Sequence, residues 1–121
     1  MSGKKKVLVV DDQYGIRTLL TLALEKHDIK EAVNGQQAIE LAKSWEPHLI
    51  IIDMKMPILN GLDTISSLKE MKLKSKILLM TAYEDDLEYD KTYIAGLISK
   101  PFDLDKLILL VDDILLKNPN T

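Results

Sequence analysis

Leu49-Ile50-Ile51-Ile52-Asp53 decides the fold. Four aliphatic residues in succession do not suit a half-solvated strand, which alternates apolar and polar side chains. A strand apolar at every position needs cover on both faces, and a parallel sheet between two layers of helices provides it. The pattern recurs on either side. Val7-Leu8-Val9-Val10 precedes it and Ile77-Leu78-Leu79-Met80 follows it. Two weaker stretches, around residues 29–33 ahead of Asn34-Gly35 and at 97–99 ahead of Pro101, bring the set to five.

Between these runs the apolar residues keep helical spacing. Ile16, Leu19, Leu20, Ala23 and Leu24 share one face, as do Ala38, Ala42 and Trp45, and then Leu62, Ile65 and Leu68. The last helix is the clearest, with Leu104, Leu107, Ile108, Val111, Ile114 and Leu115 in register and Asp103 placed to cap it. Leu109, Leu110 and Leu116 widen its apolar face, either as core or as a partner surface. Strand and helix alternating five times predict an α/β fold: a doubly wound, flavodoxin-like, five-stranded parallel sheet with helices on both faces. All 121 residues fit one domain, with its core at roughly 5–117.

Composition narrows the function. Sixteen basic against 19 acidic residues leave a net charge of −3, which offers no general footprint for nucleic acid. Lys4-Lys5-Lys6 reads as a solvated run. There is no cysteine, hence no disulfide and no thiolate metal site. No apolar stretch approaches membrane length, and the N-terminus has no signal-like apolar region. The expectation is a cytoplasmic protein with neither nucleic acid nor membrane as a partner.

Chemistry in such a fold gathers at the carboxyl ends of the strands. The strand ends here read Asp11-Asp12, Asp53, Thr81-Ala82 and Lys100-Pro101. In a parallel sheet they meet on one edge. Three carboxylates brought together repel one another, and a hard divalent cation with oxygen ligands relieves the repulsion. The cation would also neutralise an arriving phosphoryl group. Lys100 and the Thr81 hydroxyl can hold phosphoryl oxygens, and an aspartate can attack phosphorus to form an acyl phosphate. Taken singly, these acids would read as helix caps or turn formers. Four matching strand ends favour the site.

These residues carry a resemblance. Val7-Leu8-Val9-Val10-Asp11-Asp12, Ile51-Ile52-Asp53-Met54-Lys55-Met56-Pro57 with Gly61, Met80-Thr81-Ala82 and Lys100-Pro101-Phe102 resemble the signature of response-regulator receiver domains, the CheY-like family. Asp11-Asp12-Gln13-Tyr14-Gly15-Ile16-Arg17 and Met80-Thr81-Ala82-Tyr83 look closest to its stand-alone branch in the sporulation phosphorelay of spore-forming bacilli. The resemblance implies Asp53 as phosphoacceptor, and Asp11, Asp12, Asp53 and the Lys55 carbonyl around Mg²⁺, with Mn²⁺ as an alternative. It implies Thr81 and Lys100 on the phosphoryl oxygens and a small Ala82 that lets them approach. Lys100-Pro101 would be a cis peptide. Gln13, Tyr14, Gly15, Ile16, Pro57, Tyr83, Pro101 and Phe102 would form the docking surface. The implied partners are a sensor histidine kinase, a histidine phosphotransferase and a phosphatase. Beyond phosphotransfer, at most a weak self-dephosphorylation is expected, and no output domain is expected after the last helix.

Departures from the family pattern set further expectations. Leu97 stands where the family usually carries an aromatic switch residue. The segments at 95–100 and 26–34 are shorter than usual by about three and two residues. An abbreviated fourth helix or altered entry to the last strand follows, with a brief or irregular second strand. His27 and His48 lie away from the active edge and read as packing residues, and Trp45 as a helix-end packing residue. Glu84, Asp85, Asp86 and Glu88 read as the start of a solvated helix, while Tyr83 is placed to shield an acyl phosphate. Three other functions remain to be weighed. One is a chemotaxis-type regulator that binds a target instead of relaying. A dehalogenase-type phosphatase would need an acid where Lys55 stands. A flavin carrier would need a phosphate loop where Asp11-Asp12 would repel the ligand.

Overall fold

The consecutive aliphatic residues become strands covered on both sides. The computed structural model describes residues 4–82 and 92–117. Its strands are β1 (Lys6–Val10), β2 (Asp28–Ala32), β3 (Leu49–Asp53), β4 (Lys76–Thr81) and β5 (Ile94–Ser99). They form one parallel sheet in the order β2-β1-β3-β4-β5. The helices are α1 (Tyr14–Ala23), α2 (Gly35–Trp45), α3 (Gly61–Glu70) and α4 (Leu104–Leu116). The chain runs outward from β1 to β2, then crosses back to β3 on the other side of β1. That reversal opens a crevice beyond the carboxyl ends of β1 and β3.

Strand parity divides the core. Val7, Val9, Leu49, Ile51, Leu78 and Met80 pack with Leu20 and Leu24 and with Leu107, Val111, Ile114 and Leu115 of α4. Leu8, Val10, Ile50, Ile52, Ile77 and Leu79 pack on the opposite side with Ala38 and Ala42 of α2 and Ile65 and Leu68 of α3. Every residue of β3 is buried, which is why the stretch holds no polar side chain before Asp53. Each such aliphatic side chain contributes about 1.5–3 kcal/mol of burial. The helix starts follow local chemistry. Asn34, Asn60 and Asp103 accept backbone N–H groups from Gln37, Asp63 and Asp105, each at 2.9 Å.

Several expectations need adjustment. Asn34-Gly35, after the second strand, opens α2: Asn34 caps the helix and Gly35 is its first residue. A side chain at Gly35 would collide with Thr64 Oγ1 and the Leu59 carbonyl, so glycine there lets α2 and α3 approach closely. β2 is not irregular, since it pairs with β1 over all five residues. The irregularity falls on β5. Its register against β4 runs Ile77↔Ile94 and then Leu78↔Gly96, so Ala95 bulges. The expectation of a fourth helix between β4 and β5 falls on residues 83–91, outside the described residues, as do those for Tyr83 and Glu84, Asp85, Asp86 and Glu88. Among the described residues, no helix is long and apolar enough to cross a membrane. Leu109 and Leu116 are exposed, while Leu110 packs against the core.

The two histidines act at the opposite end of the sheet from the acids. Nδ1 of His27 accepts the Lys5 N–H at 3.2 Å, and Nδ1 of His48 accepts the Lys6 N–H at 3.0 Å. Trp45 closes α2, its carbonyl accepting Lys6 Nζ at 2.7 Å and its ring facing the Lys6 and Lys30 ammonium groups. Burial lowers both imidazoles below their ordinary range. Lys26 and Lys5 add to this at His27, where Asp112 opposes them, and Lys5 and Lys6 add to it at His48. A depressed histidine contributes stability that is present above the ordinary imidazole range and lost as pH falls through the lowered folded value. Protonation also turns Nδ1 into a donor and breaks the bond to the start of β1. His48→Phe should therefore be about 1 kcal/mol less stable near neutral pH. It should also lose less stability than the parent between about pH 8 and pH 5, as measured by urea unfolding.

Candidate functional site

Register carries the functional residues to one edge. Val10 pairs with Ile52, so Asp11 and Asp53, each next in line, end neighbouring strands at the same level. Asp53 pairs with Met80 and Thr81 with Ser99, which brings Lys100 to the same edge from β5. Backbone bonds continue the ladder past the strands. Met54 N–H donates to Met80 O at 2.9 Å and Lys100 N–H to Thr81 O at 2.8 Å. The α3 N-terminus closes on the acceptor loop, where Gly61 N–H donates to Met54 O at 2.8 Å. A Cβ on Gly61 would sit 2.5 Å from the Asp53 carbonyl and 2.7 Å from Met54 Cα, so only glycine fits.

The charges converge as the strand ends predict. Asp11, Asp12 and Asp53 bring carboxylate oxygens within 4.8 Å of one another. Asp11 is wholly buried, Asp53 nearly so and Asp12 exposed. Lys100 Nζ lies 2.9 Å from Asp11 Oδ2 and 3.1 Å from Asp53 Oδ1. Gln13 N–H donates to Asp11 Oδ1 at 2.9 Å, so the buried acid holds the chain at the mouth of α1, where the N-cap Gln13 makes no side-chain cap bond. Burial pushes the Asp53 carboxyl above its ordinary range and Asp11 adds to the push. Lys100 and the Lys55 backbone N–H pull against it without reversing it. Burial alone would lower the Lys100 ammonium, but the two carboxylates outweigh it and raise it. Asp53 is therefore short of positive charge even with Lys100 in contact. The donor set is all oxygen and acidic, which fits a hard divalent cation such as Mg²⁺ and not a thiophilic metal.

A cleft of about 340 Å³ opens over this cluster, lined by Asp12, Gln13, Asp53, Met54, Lys55, Thr81, Ala82 and Lys100. Thr81 is buried, and its hydroxyl donates to the Met54 sulfur at 3.2 Å. Ala82 is exposed. The Lys100-Pro101 peptide is cis. Around the rim, Gln13, Tyr14, Gly15, Pro57 and Pro101 are exposed, while Ile16 and Phe102 are half-buried against the core. Leu97 is half-buried beside the cluster under α2 and α3. Sequence reasoning missed two contributors. Arg17 Nη1 donates to the Asp11 carbonyl at 2.9 Å and its Nε pairs with Glu31 at 3.0 Å, tying the end of β1 to β2. Its place one turn into α1 was the available signal. Met54 as the acceptor for Thr81 had none.

Comparison with known proteins agrees with this geometry. Residues 7–112 match the profile of the response regulator receiver domain. The chain is 35% identical over 108 residues to sporulation initiation phosphotransferase F of Bacillus subtilis, covering 85% of this chain and 87% of that one. It is 34% identical over 116 residues to the chemotaxis protein CheY of Halobacterium salinarum, covering 92% and 97%. It is also 37% identical to the alkaline phosphatase synthesis transcriptional regulatory protein PhoP of Bacillus subtilis, of which it spans 43%. Among solved structures, a Francisella response regulator receiver domain superposes with a TM-score of 0.84 at 25% identity, covering 95% of this chain and 99% of that one.

The raised Asp53 carboxyl makes a sign-definite prediction. The folded state holds that proton more tightly than the unfolded chain does. Its contribution is thus fully present below the ordinary carboxylate range and lost as pH rises through the raised value. An amide in place of this carboxyl has no such proton to lose. In chelator, Asp53→Asn should melt a few degrees above the parent near neutral pH, a gain of roughly 1 kcal/mol in a domain of this size. The gap should close toward about pH 4. Thermal melts at the two pH values check it.

Proposed function

Because this chain belongs to the family of response-regulator receiver domains, we propose that it takes a phosphoryl group onto Asp53 from a phosphohistidine and relays it to a histidine phosphotransferase, as in a sporulation-type phosphorelay. The observation that carries the reading is the buried Asp53 carboxylate, 3.1 Å from Lys100 and clustered with two further acids. A buried acid that remains short of positive charge is suited to receive both a cation and an electrophilic phosphorus.

The transfer is an in-line exchange. An Asp53 oxygen attacks phosphorus, the P–O bond forms, and the P–N bond to the donor imidazole breaks with its electron pair left on nitrogen. Asp11, Asp12, Asp53 and the Lys55 carbonyl would hold Mg²⁺, with Mn²⁺ as a substitute. The bound ion neutralises charge on the phosphoryl group. Lys100, already at the acceptor oxygen, extends to a phosphoryl oxygen. Thr81 exchanges its Met54 contact for another phosphoryl oxygen, and the methyl of Ala82 leaves that approach open. Gln13, Tyr14, Gly15, Ile16, Pro57, Tyr83, Pro101 and Phe102 form the docking rim for a sensor histidine kinase, for the phosphotransferase and for a phosphatase. The chain acts as one receiver unit with its core at roughly 5–117, in a cytoplasmic setting. It has no catalytic turnover beyond phosphotransfer to itself and slow loss of the group.

The likeness to sporulation initiation phosphotransferase F over most of both chains supports the relay. The likeness to a chemotaxis protein over a similar span supports a second reading, in which the phosphorylated chain acts by binding a target. Incubation with acetyl phosphate and Mg²⁺ should add one phosphoryl group by intact mass, lost in Asp53→Asn and abolished by chelator. An unmodified parent chain, or an equally modified variant, overturns the acceptor assignment. Forward transfer from the labelled chain to a purified histidine phosphotransferase then selects the relay, and its absence selects target binding.

A further inference from the structure

Ile58 occupies backbone that isoleucine avoids. Its φ is 71°, and the Leu59 N–H reaches back over it to the Pro57 carbonyl at 2.7 Å. A bond closing over a single residue of positive φ marks the strained hand of the γ-turn. Branching at Cβ makes that conformation a true outlier. Two other non-glycine residues among those described have positive φ, Glu46 and Lys72. Both are unbranched and polar, and both lie at a helix end: Glu46 is the C-cap of α2, and Lys72 follows Met71, the C-cap of α3. Left-handed backbone is a normal way out of a helix. Ile58 ends no helix.

Burial does not offset the strain, since Ile58 is 82% exposed, the most exposed large hydrophobic side chain among the described residues. The chain does use glycine three positions later, where backbone contact demands it. Glycine at 58 would relieve the turn and remove an exposed apolar group together. The advantage of isoleucine therefore lies outside the folded chain.

Its position indicates what that advantage is. The turn lies on the loop between β3 and α3. Its neighbours Lys55, Met56, Pro57 and Asn60 line, with Asp12, a shallow depression beside the acceptor cleft. Tyr14, following the acid pair, is 73% exposed. A donor imidazole must bring its phosphorus within bonding reach of Asp53, so the protein surface around that histidine has to cover this rim.

We propose that Ile58 is a docking knob, held out from the rim by the γ-turn to insert among apolar side chains flanking the phosphohistidine of a protein donor. The proposal rests on the acceptor reading of Asp53, and two donors separate them. Acetyl phosphate needs no docking surface. A purified histidine phosphotransferase domain, phosphorylated on its histidine and chosen as the fastest donor to the parent chain, does. Ile58→Gly should melt several degrees higher and take phosphoryl from acetyl phosphate at an unchanged rate. With the protein donor its kcat/KM should fall about tenfold, mainly through KM. Ile58→Leu, which keeps the apolar volume, should retain most of the transfer. Wild-type transfer from the protein donor to Ile58→Gly, an equal loss with both donors, an unraised melting midpoint, or no protein donor active on a parent chain that acetyl phosphate labels would each overturn the knob. A parent chain that acetyl phosphate fails to label would overturn the acceptor reading instead.

Discussion

Lys100 Nζ stands between Asp11 and Asp53, at 2.9 Å from one and 3.1 Å from the other. Two nearly buried carboxylates at the ends of adjacent strands would otherwise push the sheet edge apart. Parallel register makes their proximity unavoidable: once Val10 pairs with Ile52, the following acids must be neighbours. The lysine comes from the far edge strand and reaches across β4 to both. The same cation thus stabilises the edge and ties together the ends of β1, β3 and β5. Removing the lysine from so buried a cluster leaves two carboxylates uncompensated, which is why its loss is destabilising even where the intact cluster contributes little net stability.

That arrangement also limits what the site can do at rest. One ammonium shared by two carboxylates leaves the Asp53 carboxyl raised, with burial and Asp11 together outweighing Lys100. In the proposed transfer, more positive charge would be required before phosphorus, with its own anionic oxygens, could approach. Asp12 is exposed beside the cluster and brings further negative charge where a cation from solvent can reach it. The buried acid and the solvent-facing acid therefore have different tasks. Asp11 fixes Lys100 and the mouth of α1, while under the proposed function Asp12 would open the site to the ion.

Much of this was legible in the sequence because it follows from burial. Apolar residues at every strand position demanded two covering layers, and the polar residues after them had to share an edge. What escaped depends on three-dimensional contact. The pairing of Thr81 with the Met54 sulfur joins two residue types with no motif between them. The β5 bulge at Ala95 precedes Gly96, where an added Cβ would meet the side chains of Leu78, Ile114 and Leu110. The short segment at 26–34 suggests a brief or irregular second strand, but β2 keeps its full register, so the shortness is absorbed outside the strand. The γ-turn at Ile58 runs against local propensity, and sequence reading rests on propensity.

The conflict at Ile58 bears on how signalling could proceed with Leu97 where a ring would otherwise swing. Leu97 packs beside the cluster under α2 and α3 and has neither hydroxyl nor ring to exchange between environments. A regulator that acts at a distant face needs such an exchange to report its state. A carrier does not, because its input and output are the same reaction run in opposite directions at the same atom. Both directions require a donor or acceptor histidine to dock on one rim, and docking is tighter when that rim is rigid beforehand. Tyr14, Pro57 and Pro101 are already exposed around the cleft, and Ile58 is fixed outward by its own hydrogen-bonded turn. Stability is placed in the buried sheet so that strain can be tolerated at the rim, and the strained residue stands where a partner would be met.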